Sequence, residues 1–141
     1  MALRNIVTVG DPVLTKVCRP VTKFDDRLAQ LLDDMIETLH DANGAGLAAP
    51  QIGVLRRVVI VNTEGEDWEL VNPEIVEVSE EEQTGIEGCL SLPGKWGLVT
   101  RPEYAKVRAQ DRHGDWYEYE GEDLTARCFL HEIDHLDGHM Y

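Results

Sequence analysis

Two histidines near the end of the chain, His131 and His135, lie four residues apart with Glu132 between them. Residues at this spacing stand one above the other on the same face of a helix, so both imidazoles can bind one metal ion. Glu132 is not needed as a ligand, and in this motif it acts as a general base beside the metal. Because apolar residues cover the other faces of the segment, we favour a hydrolytic metal site over a solvated helix that carries two histidines by chance.

A metal held by two histidines needs a further protein ligand, and the candidates are a carboxylate, Cys128, His139 and Cys89. Cys128 starts about 10 Å along the helix axis from His135 and its short side chain leans away from the ion, so we expect it to line the site or pack as a small apolar residue. His139 follows the end of the helix, and its direction is open. Cys89 can approach from a glycine-flanked turn. Its thiolate with both histidines would leave a fourth position for water, as catalytic sites do.

Two helices are predicted around these residues. Asp25 or Asp26 can cap a first helix, because leucine, isoleucine and methionine recur at helical spacing after them, up to Asn43. Asp123 is expected to start the metal-binding helix, which ends near residue 138 at a glycine. The first helix carries no evident chemistry and is interpreted as scaffold.

Between the helices the apolar period changes to that of β-strands. The predicted strands are Arg57–Asn62, Trp68–Pro73, Ile75–Val78, Gly97–Thr100, Ala105–Ala109 and Trp116–Tyr119. The last two are expected to form a hairpin, and the alternation at residues 74–79 predicts one face on the core. The acidic residues 80–82 are interpreted as a solvated turn or edge. The sequence thus predicts an α+β fold in one domain, residues 1–141, with mixed or antiparallel strands around a C-terminal metal-binding helix and an N-terminal amphipathic helix.

Composition limits the partners. The 141 residues contain 27 acidic and 13 basic side chains, for a formal net charge of -14. This charge opposes nonspecific binding to nucleic acid or anionic lipid, so we expect no direct nucleic-acid binding and at most a local, transient contact with an RNA-rich machine. The three cysteines, an odd number at irregular spacing, predict a reduced compartment rather than a disulfide framework. The apolar segment Ile6–Val9 is too short for a signal peptide and no later segment could span a membrane, so we predict a cytoplasmic protein.

Two further segments are rich in small residues. Taken alone, Gly44–Gly53 is best interpreted as a tight buried turn, because it lacks the full glycine pattern and the lysine of a phosphate loop. Gly85–Gly94 is the second such segment. Together with the metal helix, they carry a resemblance: Gly44–Gln51, Glu87–Ser91 and His131–His135 resemble, in order, the three signature motifs of the peptide deformylase family.

The resemblance extends over nearly the whole chain and implies a metal-dependent hydrolase. Family members remove the formyl group from the N-terminal formylmethionine of nascent polypeptides and release formate. By match to the motifs, the metal ligands would be Cys89, His131 and His135. Glu132 would be the catalytic acid and base, while Gln51 and the backbone N–H of Leu90 would stabilise the developing oxyanion. The metal implied is Fe²⁺, which Zn²⁺, Ni²⁺ or Co²⁺ can replace.

The implied substrates are the N-formylmethionyl peptides of nascent chains. We expect the protein to be a monomer and to make at most a transient contact with the ribosome. We expect the peptide to add as a β-strand beside Ala45 and Gly46. The other residues expected to border the substrate pocket are Glu87, Gly88, Leu124, Arg127 and Cys128. Arg127 could equally be a solvated rim residue. Asp134 could orient a ligand, pair with Arg101 or be an ordinary surface acid.

Two alternatives from other classes are weaker. A zinc protease of the metzincin type needs a third histidine six residues after His135, where this chain has Tyr141. A metal-stabilised binding module without turnover would need a closed four-ligand site, recruiting His139 or Cys128. A zinc protease would cleave an internal peptide bond, whereas a deformylase would cleave an N-terminal formamide. An activity assay on both substrates therefore distinguishes the first alternative.

Overall fold

The computed structural model describes residues 2–139, so Tyr141 lies outside the described residues. Within this range the elements, in chain order, are α1 (Asp26–Asp41), β1 (Gly46–Ala48), β2 (Val58–Val61), β3 (Trp68–Val78), β4 (Glu82–Cys89), β5 (Leu92–Pro102), β6 (Tyr104–Gln110), β7 (Trp116–Glu122) and α2 (Asp123–Leu136). Short 3-10 helices occur at Pro12–Thr15 and Ala49–Ile52. The predicted α+β class is confirmed. No helix among residues 2–139 is long and apolar enough to cross a membrane.

A five-stranded antiparallel sheet, in the order β1-β2-β3-β6-β7, lies between the two helices. Strand β2, which lies between β1 and β3, is fully buried on both faces. Val58 and Ile60 belong to the apolar cluster that contains α1, while Val59 and Val61 belong to the cluster that contains α2. Because successive side chains of a strand point to opposite faces, this run of four apolar residues joins both halves of the core.

Both predicted helices are confirmed. The Asp25 carboxylate caps α1 by accepting a hydrogen bond from the Leu28 N–H at 3.2 Å. Asn43 follows the helix with a φ of 53°, and the chain turns there into β1. Helix α2 ends before Gly138, whose φ of 82° is a left-handed conformation and whose missing Cβ would lie 2.7 Å from the Thr15 carbonyl oxygen.

The strand predictions are partly wrong around β3. The two segments Trp68–Pro73 and Ile75–Val78 form one strand. Its distal half does not place a face on the core: Ile75, Val76 and Val78 are all exposed, because two register shifts in the pairing with β6 disturb the alternation. The predicted hairpin of β6 and β7 is confirmed.

Two glycine-containing segments form strands that the sequence did not predict. The Glu82–Cys89 segment is strand β4, paired in a separate hairpin with β5, so Cys89 ends a strand rather than lying in a turn. Gly46–Ala48 is strand β1 at the edge of the main sheet rather than a tight turn. Within residues 2–139, β1 pairs only with β2 and β4 only with β5. The free edges of β1 and β4 contribute residues to one cleft.

Candidate active site

The metal-binding atoms predicted by the sequence converge. Cys89 Sγ lies 3.3 Å from His135 Nε2, which lies 3.2 Å from His131 Nε2. A tetrahedral ion with ligand distances of about 2.0–2.3 Å would hold such atoms about 3.4–3.6 Å apart, so this donor set fits a single ion. Within residues 2–139 these three are the one group of metal-binding side chains, and neither Cys128 nor His139 belongs to it.

Local structure explains this convergence. The four-residue spacing on α2 brings the two imidazoles to a centroid distance of 4.8 Å. Cys89 reaches them from β4, where the register with β5 shifts after Gly88. Such an irregularity re-aims a side chain, and here it directs the thiol toward α2. Burial lowers the pKa of His135 to about 3, which favours the neutral imidazole that binds metals.

The orientation of His131 is fixed by a buried carboxylate. His131 Nδ1 lies 2.9 Å from Glu87 Oε1, which leaves Nε2 to face the metal position. Glu87 also accepts hydrogen bonds from Arg101 Nε at 2.7 Å and from Arg127 Nη1 at 2.5 Å. Burial alone would raise the pKa of Glu87, but its hydrogen bonds to His131 and both arginines prevail and lower that pKa to about 2.

The arginines of this network have structural partners. Arg127 is buried, so the alternative of a solvated rim residue is wrong. Asp134 does pair with Arg101, at 2.9 Å, and is therefore not an isolated surface acid. The sequence predicted no role for Arg101 beyond a pairing with Asp134. The sequence placed Glu87 only at the border of the substrate pocket, and its contact with His131 could not be predicted because strand β4 was not predicted.

Glu132 lies in a pocket with few polar partners. It is 5% exposed, and within residues 2–139 its Oε1 atom has no hydrogen-bond partner. Burial raises the pKa of Glu132 to about 7, so this carboxyl group can exchange a proton near neutral pH. A Cβ at Gly46 would lie 2.8 Å from Glu132 Oε2 and 2.6 Å from Cys128 Sγ, so the close approach of β1 requires glycine at this position.

The amide of Gln51 is held in one orientation. Its Oε1 accepts a hydrogen bond from the Ala48 N–H at 2.9 Å, and its Nε2 donates to Ser91 Oγ at 3.2 Å and approaches Cys89 Sγ at 3.6 Å. The amide donor therefore points toward the metal ligands. Sequence reasoning gave Ser91 no role, although it lies in the second motif and is fully buried. Leu90, between Cys89 and Ser91, lines the adjoining cleft.

The cleft beside these residues has a volume of about 500 Å³. All seven residues expected to border the substrate line it: Ala45, Gly46, Glu87, Gly88, Leu124, Arg127 and Cys128. Cys128 Sγ donates to the Ala45 carbonyl oxygen at 3.5 Å, and burial raises the pKa of this thiol well above its usual value, so it stays neutral. Strand β5 adds Trp96 to the lining, which the sequence did not predict.

The fold and the site define a class of protein. An open set of one sulfur and two nitrogen ligands leaves room for water and substrate, whereas a structural metal site is closed by four protein ligands. A buried carboxyl group and an oriented amide donor beside that set are the groups that hydrolysis of a carbonyl compound requires. The class is therefore that of metal-dependent hydrolases.

Comparison with known proteins gives the particular family. Residues 3–141 match the family model described as polypeptide deformylase. The peptide deformylase of Agathobacter rectalis is 56% identical over 141 residues, which cover 100% of this chain and 89% of that protein. The crystal structure of the Thermotoga maritima peptide deformylase has a TM-score of 0.94 and 41% identity, covering 96% of this chain and 92% of that one.

A third relative, the Ehrlichia chaffeensis peptide deformylase in complex with actinonin, has a TM-score of 0.96 and 38% identity, covering 100% of this chain and 87% of that one. The chain belongs to the polypeptide deformylase family. Its activity is the metal-dependent removal of the N-formyl group from nascent polypeptides. The predicted family and reaction are thus confirmed.

Proposed function

We propose that this chain hydrolyses the formyl amide of N-terminal formylmethionine with Cys89, His131 and His135 as its metal ligands. The convergence of the three ligand atoms beside Glu132 is the observation that carries the proposal. The proposed metal is Fe²⁺, with Zn²⁺, Ni²⁺ or Co²⁺ as substitutes, because metal availability rather than raw affinity decides which ion such a set holds. When bound, the ion supplies Lewis acidity, which lowers the pKa of water toward neutrality and polarises a carbonyl oxygen.

Glu132 is the proposed acid and base. Its carboxylate accepts a proton from the water that attacks the formyl carbon, and returns a proton to the amine nitrogen when the C–N bond breaks. The products are formate and a free N-terminal amine. The buried position of Glu132 and its pKa near 7 support both transfers, because a group with a pKa near the working pH can accept and donate a proton.

Gln51 and Leu90 are the proposed oxyanion donors. The Gln51 amide is already oriented by Ala48 and Ser91, so little reorganisation is needed when negative charge develops on the formyl oxygen. The backbone N–H of Leu90 follows directly after the metal ligand Cys89. Ser91 acts through Gln51 and is a positioning residue.

The substrate backbone is proposed to pair with the free edge of β1. The Asn62 N–H donates to the Ala45 carbonyl at 2.7 Å, and Gly46 lies opposite Val61 in the next pair. Hydrogen-bonded and non-hydrogen-bonded pairs alternate along antiparallel strands, so the N–H and C=O of Gly46 point away from β2, toward the free edge. Main-chain bonding at this edge accepts any sequence beyond the first residue.

The methionine side chain is proposed to enter the cleft between β1 and β4. Leu124 and the neutral Cys128 thiol supply apolar contacts there. Glu87 and Arg127 line the same cleft, but each neutralises the other. They present no net charge to an uncharged side chain, which supports methionine rather than a charged residue.

We further propose that residues 1–141 act as a single catalytic domain and as a cytoplasmic monomer. Every proposed catalytic group comes from one chain, and the described residues form two apolar clusters that share one sheet. The three cysteines are free, which supports a reducing compartment. Because the substrate is a nascent polypeptide, a transient contact with the ribosome is part of this proposal.

The test is formate release from a formyl-Met-Ala-Ser peptide by anaerobically prepared, Fe²⁺-loaded protein. We expect release by the parent and its loss in Glu132→Ala and Cys89→Ala, with metal content separating the two: Glu132→Ala keeps the metal, whereas Cys89→Ala loses it. An acetylated peptide controls for cleavage of internal bonds, which a zinc protease would catalyse. No release by folded, metal-loaded parent would overturn the proposal and favour a binding module.

A further inference from the structure

A surface cleft at the N-terminal end of α1 gathers positive charge on this strongly acidic chain. The cleft is lined by four cations, Arg19, Lys23, Arg27 and Arg56. Asp25 is the one carboxylate among its lining residues, and its oxygen is engaged in capping α1. All four cations are exposed. We call these four residues the basic cleft.

The basic cleft is unusual because its cations form no ion pairs with the acidic residues that the structure describes. Of the 13 lysines and arginines, seven form ion pairs with Asp or Glu, namely Arg4, Arg57, Arg101, Lys106, Arg108, Arg112 and Arg127. Within residues 2–139 no ion pair is formed by any of the four cations of the basic cleft. In a chain with 27 acidic residues, such a group of unpaired cations is not expected from composition alone.

Three of these positions are unfavourable for stability. Arg19 and Arg56 face each other in a parallel bridge, fixed by hydrogen bonds from Arg19 N to Leu55 O at 3.1 Å and from Arg57 N to Arg19 O at 3.0 Å. Neighbouring strands lie about 4.8 Å apart, so two like charges stand side by side and repel. Arg27 lies in the first turn of α1, where the helix dipole disfavours a cation. A bound polyanion would relieve both costs.

The basic cleft and the substrate cleft lie at opposite ends of α1. The helix begins beside the basic cleft, and Asn43 and Gly44 just beyond its other end line the substrate cleft. At 1.5 Å per residue its 16 residues span about 24 Å. An extended peptide covers that distance with about seven residues, so a partner in the basic cleft would leave the substrate cleft open to a nascent chain.

We propose that the basic cleft docks this protein on the phosphate backbone of ribosomal RNA. The choice of RNA rests on the proposed function, since a nascent polypeptide is presented by an RNA-rich particle. The net charge of -14 averages over the whole surface and does not oppose a local contact between these cations and phosphate, so this proposal departs from the expectation of no direct nucleic-acid binding. The acidic remainder keeps the contact weak and salt-sensitive.

The test compares two double variants that change the net charge equally. Arg19→Gln/Arg56→Gln removes the paired arginines of the basic cleft, and Lys106→Gln/Arg108→Gln removes two cations from β6 as the matched control. Binding of the metal-loaded proteins to bacterial ribosomes is measured by co-sedimentation between 50 and 200 mM KCl. The same samples are assayed for formate release from free formyl-Met-Ala-Ser.

We expect the basic-cleft variant to bind ribosomes at least about tenfold more weakly at 50 mM salt, and its log-log salt slope to be smaller by about 1.4–1.8, the loss of two phosphate contacts. The control variant should bind within about twofold of the parent, and all three proteins should process the free peptide equally. Equal binding by the basic-cleft variant and the parent, or an equal loss in the control, would overturn the proposal.

Two further arms test the choice of RNA. Binding to deproteinised ribosomal RNA should show the same dependence on Arg19 and Arg56, whereas binding to intact ribosomes alone would assign a protein partner. Equal binding to phosphatidylglycerol vesicles would assign a lipid surface, and either result overturns the choice of RNA. Ribosome binding is measured without turnover. If the parent protein releases no formate from the free peptide, that result contradicts the proposed function but leaves the binding test unaffected.

Discussion

Replacement of Glu87 by glutamine tests how strongly the buried charge network stabilises the fold. The variant keeps the shape of the side chain but removes a carboxylate that is 4% exposed and bonded to His131, Arg101 and Arg127. A pKa that falls from 4.5 in the unfolded chain to about 2 in the folded one corresponds to about 3 kcal/mol of stability. Breaking a buried ion pair typically costs a similar 3–5 kcal/mol.

The sign of the pH dependence follows from the direction of this pKa change. A carboxyl group whose folded pKa is depressed contributes its full stability above about pH 4.5 and loses it as the pH falls toward 2. About 2 kcal/mol of the contribution of Glu87 should be lost between pH 6 and pH 3. Glu87→Gln should therefore destabilise the protein by about 3 kcal/mol at pH 6 but by only about 1 kcal/mol at pH 3.

Urea unfolding followed by circular dichroism measures both values, with EDTA in all buffers so that metal affinity does not enter the difference. Glu74→Gln is the matched control, because Glu74 forms an exposed ion pair with Arg108 at 3.7 Å. This control should change stability by less than about 1 kcal/mol at either pH. If Glu87→Gln destabilises the protein equally at pH 6 and pH 3, the charge of Glu87 is not the source of its contribution, and the reasoning is wrong.

The remaining predictions concern catalysis. Gln51→Ala should lower kcat for formate release by about 10²–10³-fold with little change in KM, because the lost donor acts mainly in the transition state; a large rise in KM at constant kcat would contradict this role. Gly46→Ala should abolish activity, because a Cβ there would overlap Glu132 and Cys128, whereas Gly97→Ala, with no atom within 4 Å of the added Cβ, should match the parent in the same assay. Chelation with EDTA should abolish formate release, and anaerobic addition of Fe²⁺ should restore it in proportion to bound metal measured by mass spectrometry.

The parts of the site that the sequence predicts well are those that depend on local spacing. The four-residue separation of His131 and His135 determines their common helix face before any tertiary contact is known. Cys89 could be predicted as the third ligand from its glycine-flanked segment and from the resemblance of that segment to a family motif, but its position on a strand could not be predicted. Strands β1 and β4 contain glycines, so their formation depends on pairing with distant segments rather than on intrinsic preference.

The buried charge network of Glu87, Arg101 and Arg127 could not be predicted from the sequence for a similar reason. Arginine and glutamate are mostly exposed residues, so a sequence gives no reason to bury Glu87, Arg101 and Arg127 together. Their burial is favourable only because strands β4 and β5 and helix α2 bring opposite charges into hydrogen-bonding distance. The orientation of Gln51 by Ser91 likewise depends on two segments 40 residues apart.

The length of β1 has a consequence for timing during protein synthesis. The strand has three residues, so its free edge extends for about 10 Å and can pair with about three residues of an extended peptide. In the proposed binding mode, a substrate presents those residues as an extended strand with a free hydrogen-bonding edge. An N-terminus already wound into a helix or paired within a sheet cannot do so. This binding mode therefore predicts that the formyl group is removed before the N-terminal segment of the substrate protein folds.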